Sequence, residues 1–573
     1  MSDERCNPFS ANRSGINIGE AAVLFVMSKQ RGDGTAIALL GAGATGLYAN
    51  PQVSPAQRQA AETLMQAAGI RSAMKILDQI AHSEPHNLRC LVLAGPGNNG
   101  GDACIVAGEL KRKGLQVDLL QVSDGKTGSK DRMQAVLWAL AHGVQPMEFE
   151  PDMPLPDIDT GTVIIDGLLG IACDRSPQGA IERLIRHVNA HHHKARVYAL
   201  DCPRGLNCDT GSAPGAAVQA HTTFSYLACK HGLLSEQGKD LCGELWIDTL
   251  NCDALLDTGP HTVELGMVVH AVSRLDQLQH LPKRGHQHHK GSFGSIAVLG
   301  GQQGMVGACV LSARTALMLG CGRVALTLLH EADMHLPDVQ RQGQSPFLDL
   351  VFPEIMNKGL ESNLEFADTT LIGPGLGHSE EALSMVHALL EHDKGLDIVW
   401  DADALNLLAA NSVLRARLQH YRRKHRAKSL VLTPHPLEAA RLLQSTTEMI
   451  QADRVKAAQS LASQFDCTVV LKGTGSLVCN SNQIEINTTG GPALATAGSG
   501  DVLAGAVAAM LGQGLDEFKA ASFAVYLHGL SLEPLAGERE GLYVSHASEI
   551  ARRMKAWLNH LLSQSARRNS QLP

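Results

Sequence analysis

From Ala61 onward the chain sets short, almost uninterrupted apolar runs against longer stretches whose apolar positions recur every three or four residues. The first pattern suits strands buried on both faces of a parallel sheet and the second suits amphipathic helices, so their alternation predicts an α/β fold. In the first half, Cys90 to Ala94, Val117 to Val122, Val163 to Asp166 and Val197 to Asp201 read as strands. Helices are expected near 61–77, 101–113, 131–143 and 178–190. Ligands of open parallel sheets gather beyond the carboxyl ends of strands, so the loops after Ala94, Asp166 and Asp201 should converge.

The rhythm breaks from 253 to 289, where Pro, Gly and charge mix as in a linker. A second series then begins: Ser295 to Leu299, Val324 to Leu328, Thr370 to Ile372, Ile398 to Asp401, Leu430 to Thr433 and Val469 to Lys472. Residues 475–489 read as a hairpin turning at Asn480 to Asn482, and helices near 501–512, 516–534 and 546–563 close the chain. The organisation expected is an extension over 1–60, where Gly- and Ala-rich stretches interrupt any period, a domain over 61–252, the linker, a domain over 290–563 and a tail over 564–573. Each domain should be a three-layer α/β/α unit.

At 573 residues the chain exceeds what one core sustains, which agrees with two domains. No apolar run approaches the roughly 18 residues of a membrane span. The start, with Asp3, Glu4 and Arg5, lacks the basic-then-apolar order of a secretory signal, so a cytoplasmic location is expected. The 13 cysteines show no paired CxxC spacing, which favours reduced thiols over a zinc or redox site. A net charge of -8 argues against a nucleic-acid partner. His191 to His193 and His286, His288 and His289 read as solvated surface, Trp400 as core, and the basic run Arg415 to Lys428 as an exposed face.

Candidate chemistry sits at the predicted strand ends. AGSGDVLAG (497–505) places small residues and Asp501 just before an apolar helix, where free N–H groups and the dipole favour an anion. An aspartate there is normally a helix cap or first-turn acid, which is the plainer alternative. KGTGS (472–476) adds a cation and pliable backbone, GPGLG (373–377) a loop poor in Cβ atoms, and DADALN (401–406) and TPHPLE (433–438) polar groups at two more ends. In the first half GPGNNGGD (95–102) forms a similar anion cradle, with Asp166 and Asp201 nearby, for which capping is again the plainer alternative.

Together with KGSFG (290–294), GGQQGMVGA (300–308), IGPGLG (372–377), WDADALNLL (400–408) and TPHPLEAARLL (433–443), these motifs resemble the ribokinase-like superfamily and, within it, bacterial bifunctional NAD(P)H-hydrate repair enzymes. The first half, with LACKHGLL (227–234) and CGELWIDTL (242–250), resembles the epimerase domain fused to those dehydratases. The resemblance implies a Rossmann-like first domain and a ribokinase-like second one. It implies Asp501 as the acid-base residue of a nucleotide-driven dehydration. Lys472, Gly473, Thr474, Gly475, Ser476 and Gly500 would then bind the adenine nucleotide, and Ala308, Gly377, His435 and Asp501 the hydrated NADH or NADPH. ADP is the expected cosubstrate, ATP the alternative, with Mg²⁺ beside it. For the epimerase it implies Asn98, Asn99, Gly100, Gly101, Asp102, Gly170 and Asp201 as the substrate site, Asp201 as the acid-base group, and Asn99 and Asp166 as potassium ligands. A homo-oligomer is expected, without nucleic acid or membrane partners.

Where the family reads GGDG, DALLGTG and DIPSG, this chain has Ala103, Gly167, Ile171 with Ala172, Cys202 and Arg204. Arg204 stands at the serine that completes the potassium site, so its guanidinium could replace the ion or mark a lost activity. A small-molecule kinase, or a dehydratase with a non-catalytic first domain, remain the alternatives.

Overall fold

The computed structural model describes residues 55–81, 88–123, 129–168, 170, 175–250, 269–271, 284–329, 348–535, 538 and 541–569. The chain divides into two units, 1–266 and 267–573. Nearly all of the 1–60 extension, and Ile171 and Ala172, lie outside the described residues.

The first unit carries β1 (Arg89–Ala94), β2 (Gln116–Gln121), β3 (Pro146–Glu148), β4 (Thr162–Gly167), β5 (Arg196–Leu200), β6 (Thr222–Tyr226) and β7 (Glu244–Asp248). They form one parallel sheet in the order β3-β2-β1-β4-β5-β6-β7. The side-chain alternation of a strand explains the two cores. Cys90, Val92 and Ala94 pack with Val163, Ile165 and the helix Asn98–Arg112, while Leu91 and Leu93 pack with Ile164 and the helix Gly179–Ala190. The strand order reverses between β1 and β4, which opens a crevice beyond their carboxyl ends.

β6 was not foreseen, because TTFSY carries hydroxyls where a buried strand usually carries only hydrocarbon. Those hydroxyls are satisfied locally: Thr223 Oγ1 donates to the Cys242 carbonyl at 2.7 Å and Ser225 Oγ to that of Ala228 at 3.0 Å.

The second unit holds β8 (Val269–Ala271), β9 (Ser295–Gly300), β10 (Arg323–Leu328), β11 (Met356–Asn357), β12 (Thr369–Ile372), β13 (Asp397–Trp400), β14 (Leu430–Leu432), β15 (Thr468–Leu471), β16 (Leu477–Cys479) and β17 (Ile484–Ile486). The sheet order is β11-β10-β9-β12-β13-β14-β15-β16-β17-β8, reversing between β9 and β12. β16 and β17 form the expected hairpin, and β15 also pairs antiparallel with β16. β8, inside the stretch read as linker, pairs parallel with β17. One face of the sheet, including Ile296, Val298, Leu326 and Leu371, packs on the helices Val306–Met318, Ser499–Gly512, Glu517–Leu530 and Ala547–Asn569. Trp400 is fully buried, as expected.

Asp201, Asp401, Thr433 and Lys472 were read as strand residues, yet each stands just beyond its strand. Asp201 has φ 63, a left-handed conformation that an extended ladder excludes, and Asp401 is the N-cap of the helix Ala402–Ala410. Among the described residues no helix is long and apolar enough to cross a membrane.

Candidate active sites

In the second unit the glycine loops after β9 and β12 interlock. Gln302 N donates to the Gly375 carbonyl at 2.7 Å, and Gly377 N donates to Asp403 Oδ2 at 2.8 Å. Gly373 has φ +122, and a Cβ there would lie 1.8 Å from the Asp401 carbonyl, so only glycine lets these two strand ends approach.

Asp401, 1% exposed, accepts from Thr433 Oγ1 at 2.7 Å and from Lys472 Nζ at 2.8 Å. Glu438 Oε2 lies 3.9 Å from the same ammonium. Burial is the largest influence on Lys472 and disfavours its charge, but Asp401 and Glu438 together outweigh it and hold the ammonium above its ordinary value. Burial pushes Glu438 up to about 7. His435 caps the helix Pro436–Leu443 in a reciprocal box, its Nδ1 accepting from Leu437 N while its own N–H donates to Glu438 Oε2 at 2.8 Å. Burial, then Lys472, lowers its basicity.

Of the two plain structural readings of Asp501, cap or first-turn acid, the structure shows the second. The cap of the helix Ser499–Gly512 is Gly498, with φ 83 and no side chain, and Asp501 sits inside the first turn. Burial, then the charge of Asp401, pushes Asp501 up to about 7, Lys472 pulling the other way and Asp403 adding to the rise. A Cβ on Gly500 would lie 3.6 Å from Lys472 Nζ, which puts the lysine beside this helix N-terminus. Ser312 Oγ lies 3.1 Å from the Ala308 carbonyl and 2.9 Å from that of Asp501, joining the two helices. These contacts connect Ala308, Gly377, His435, Lys472, Gly500 and Asp501 through shared neighbours beyond the carboxyl ends of the strands. Thr474 is exposed and Ser476 half-buried on the same loop as Lys472.

In the first unit, Asn98–Asp102 open the helix after β1. A Cβ on Gly95 would meet the Leu168 carbonyl at 1.4 Å, and one on Gly100 would meet Gly95 O at 2.0 Å. At Gly170 a Cβ would lie 3.4 Å from Asp201 Oδ2 and 3.6 Å from Asn99 Cβ, so these three expected residues do converge. Asn99 Nδ2 donates to Leu200 O at 2.9 Å. Gly101 faces the Met65 sulfur. Sequence reasoning missed Lys230, whose ammonium pairs with Asp201 and also donates to Ser225 Oγ and the Tyr226 carbonyl, each at 3.1 Å. Burial, then the charge of Asp201, pushes Asp102 well above the usual carboxylate range, with Lys230 opposing.

Asp166 is fully buried. Its Oδ1 accepts from Leu168 N at 3.1 Å and its Oδ2 from Arg204 N at 2.8 Å. Burial pushes it up to about 6; these two amides, then the Arg204 charge, pull it down. Asn99 Oδ1 is buried without a hydrogen-bond partner, as a cation ligand would be. With the buried Arg204 already acting on Asp166, however, a second positive charge is disfavoured, and the residues do not fit a potassium ion. Two other departures explain each other. A Cβ on Gly167 would lie 2.4 Å from Ala103 Cβ and 2.9 Å from the Asn99 carbonyl, so the methyl group at 103 excludes one at 167. The sulfurs of Cys202 and Cys208 lie against each other in the loop after Asp201, while Cys90, Cys104, Cys229, Cys242, Cys309, Cys321, Cys467 and Cys479 are free thiols. The sequence offered no CxxC signal for this pair because they are six residues apart.

Comparison with known proteins follows the same division. The family described as NAD(P)H-hydrate dehydratase matches residues 296–553, and the YjeF-related protein N-terminus matches 61–232. The chain is 34% identical over 454 residues to the bifunctional NAD(P)H-hydrate repair enzyme Nnr of Escherichia coli (strain K12), covering 78% of this chain and 80% of that one. It is 32% identical over 503 residues to Nnr of Coxiella burnetii, covering 86% and 96%. It is 37% identical over 289 residues to the ADP-dependent (S)-NAD(P)H-hydrate dehydratase of Neisseria meningitidis serogroup B, covering 49% and 90%.

Proposed function

The chain belongs to the bifunctional NAD(P)H-hydrate repair enzymes, and from that membership we propose that its second unit dehydrates the S hydrate of NADH and NADPH at the expense of ADP, while its first unit interconverts the R and S hydrates. The observation that carries this reading is the meeting of Asp501, Lys472 and Gly500 at one helix N-terminus, across from Ala308 and Gly377.

Hydroxide leaves the hydrated pyridine ring poorly. Asp501 takes the proton of the ring hydroxyl as its oxygen attacks the terminal phosphorus of the nucleotide. The P–O bond to the shortened nucleotide breaks, the new phosphate ester leaves as inorganic phosphate, driven by the ring nitrogen's lone pair, and the iminium so formed gives up its C5 proton to solvent or the departing phosphate as the C5=C6 bond forms. A carboxyl at about 7 is matched to this task near neutrality, since it must be ionised to accept the proton and gain acidity once it holds it. The helix N-terminus and Lys472 oppose the charge that spreads over the transferring phosphoryl group. Mg²⁺ bound beside the nucleotide would neutralise phosphate charge, leaving Asp501 to act as the base. In the first unit, Asp201 moves the proton as the C6 hydrate opens and recloses.

The test is incubation of the whole protein with hydrated NADH and either ADP or ATP, following the return of NADH absorbance and the release of phosphate. Nucleotide-dependent recovery with one phosphate released per NADH is expected. A stable phosphorylated product would instead mark a small-molecule kinase.

A further inference from the structure

Arg454 opens the helix Arg454–Phe465 and is 1% exposed. Its guanidinium donates to the carbonyls of Leu471 at 3.1 Å, Lys472 at 3.2 Å and Thr474 at 2.8 Å. One planar fork thus ties the end of β15 to the loop that follows it. Burying a guanidinium is costly unless its hydrogens find well-placed acceptors, and a position that only needed filling would take Leu or Met.

Holding those carbonyls fixes the amides as well. In a trans peptide plane the C=O and N–H point in opposite directions. With the carbonyls of Lys472 and Thr474 turned towards Arg454, the N–H groups of Gly473 and Gly475 face away from it. Lys472 N is anchored in turn on the Pro434 carbonyl at 2.9 Å. Gly473 has φ +139, and a Cβ there would lie 2.7 Å from Arg454 Nη1, so arginine and glycine fit only as a pair. Successive N–H groups aimed to one side of a loop form an anion-binding concavity.

We propose that Arg454 is the positioning residue of the nucleotide site, aiming the amides of Gly473 and Gly475 at the phosphates of a nucleoside diphosphate. The inference rests on reading Lys472–Ser476 as the nucleotide loop. Arg454 itself touches no ligand; it acts through the backbone it holds.

The test uses the full-length protein as wild type, R454M, R454K and G473A, the last disturbing the same pair with the arginine intact. KM is measured separately for ADP and for hydrated NADH, and ADP binding is measured by calorimetry without hydrate. R454M and G473A should raise the KM for ADP about tenfold or more while leaving that for the hydrate within about twofold, and R454K should recover part of the loss. Should R454M fail to fold, R454K and G473A carry the test. An unchanged KM for ADP, or a rise in both KM values together, overturns the proposal. A wild-type chain that binds neither ADP nor ATP fells the proposed function and this inference with it. Wild-type binding that R454K and G473A match fells this inference alone.

Discussion

Both units gather their acids beyond the carboxyl ends of parallel strands, yet they treat them differently. In the second unit Lys472 is held by Asp401 and Glu438, leaving Asp501 half-buried at about 7, able to take and return a proton near neutrality. In the first, Lys230 is paired directly with Asp201, whose backbone is held at φ 63, and the neighbouring Asp102 is pushed well above the carboxylate range. A phosphoryl transfer needs a base that releases its proton readily. An isomerisation that returns every atom to the substrate only has to move one proton out and back, which suits Asp201 with Lys230 holding it in place. The difference is one of wiring around a carboxylate, with similar glycine loops in both.

The largest effect that would break this comparison is at Asp501. Asp501→Asn should lower the dehydration rate by on the order of 10² to 10⁴-fold while leaving epimerisation by the same molecules intact. The wild-type rate should climb as pH rises through about 7, because the carboxyl must be ionised to act as base. The same shift has a stability sign. The folded pKa is raised, so ionising Asp501 costs stability progressively from its ordinary value of 3.8 up to about 7. Asp501→Asn should therefore melt higher than wild type at pH 8, by a margin that shrinks towards pH 4. Near-normal turnover, or a flat pH profile, would remove Asp501 from the chemistry.

A smaller effect sharpens the reading of the first unit as intact. If the methyl group has merely moved from 167 to 103, Gly167→Ala alone meets Ala103 Cβ at 2.4 Å and should destabilise that unit. A cost of about 1–3 kcal/mol is expected from overpacking. Ala103→Gly combined with Gly167→Ala should recover part of that loss, the Asn99 carbonyl at 2.9 Å still crowding the new methyl group, a non-additivity measurable by denaturant unfolding. Equal destabilisation of the single and double variants would show that the two departures are independent.

The strands most legible from the sequence were those buried on both faces, such as Cys90 to Ala94 and Val163 to Ile165, because a parallel sheet writes itself as unbroken hydrocarbon. β6 was illegible because its hydroxyls find partners only in the folded loops around it. The same logic separates the sites. Asp501 and Asn98 to Asp102 announce themselves through adjacent glycines, and the structure brings them beside the other strand-end residues expected there. Lys230 and Arg454 carry no local signal: Asp201 is 29 residues from its lysine, and the carbonyls held by Arg454 are 17 to 20 residues away. Side chains whose meaning depends on a partner in another element are visible only after folding.

The smallest expected effect concerns the cation that relatives of the first unit are expected to use. Arg204 backs onto Asp166 through its amide at 2.8 Å, and its charge already favours the ionised carboxylate. A buried guanidinium cannot lose its proton in the working pH range, so it supplies permanently the charge that a potassium ion supplies only when bound. Epimerisation by the wild-type protein should accordingly stay within about twofold when sodium replaces potassium, since no ion-binding step remains to be lost. Arg204→Ser removes that charge and restores the residue the family carries, leaving Asp166 and the unpartnered Asn99 Oδ1 to face the gap. That variant should become dependent on potassium, with activity recovered as the ion is titrated in. A strict potassium requirement in the wild type would show that the arginine does not replace the ion, and the contrast between a fixed and a releasable charge in the two crevices would have to be redrawn.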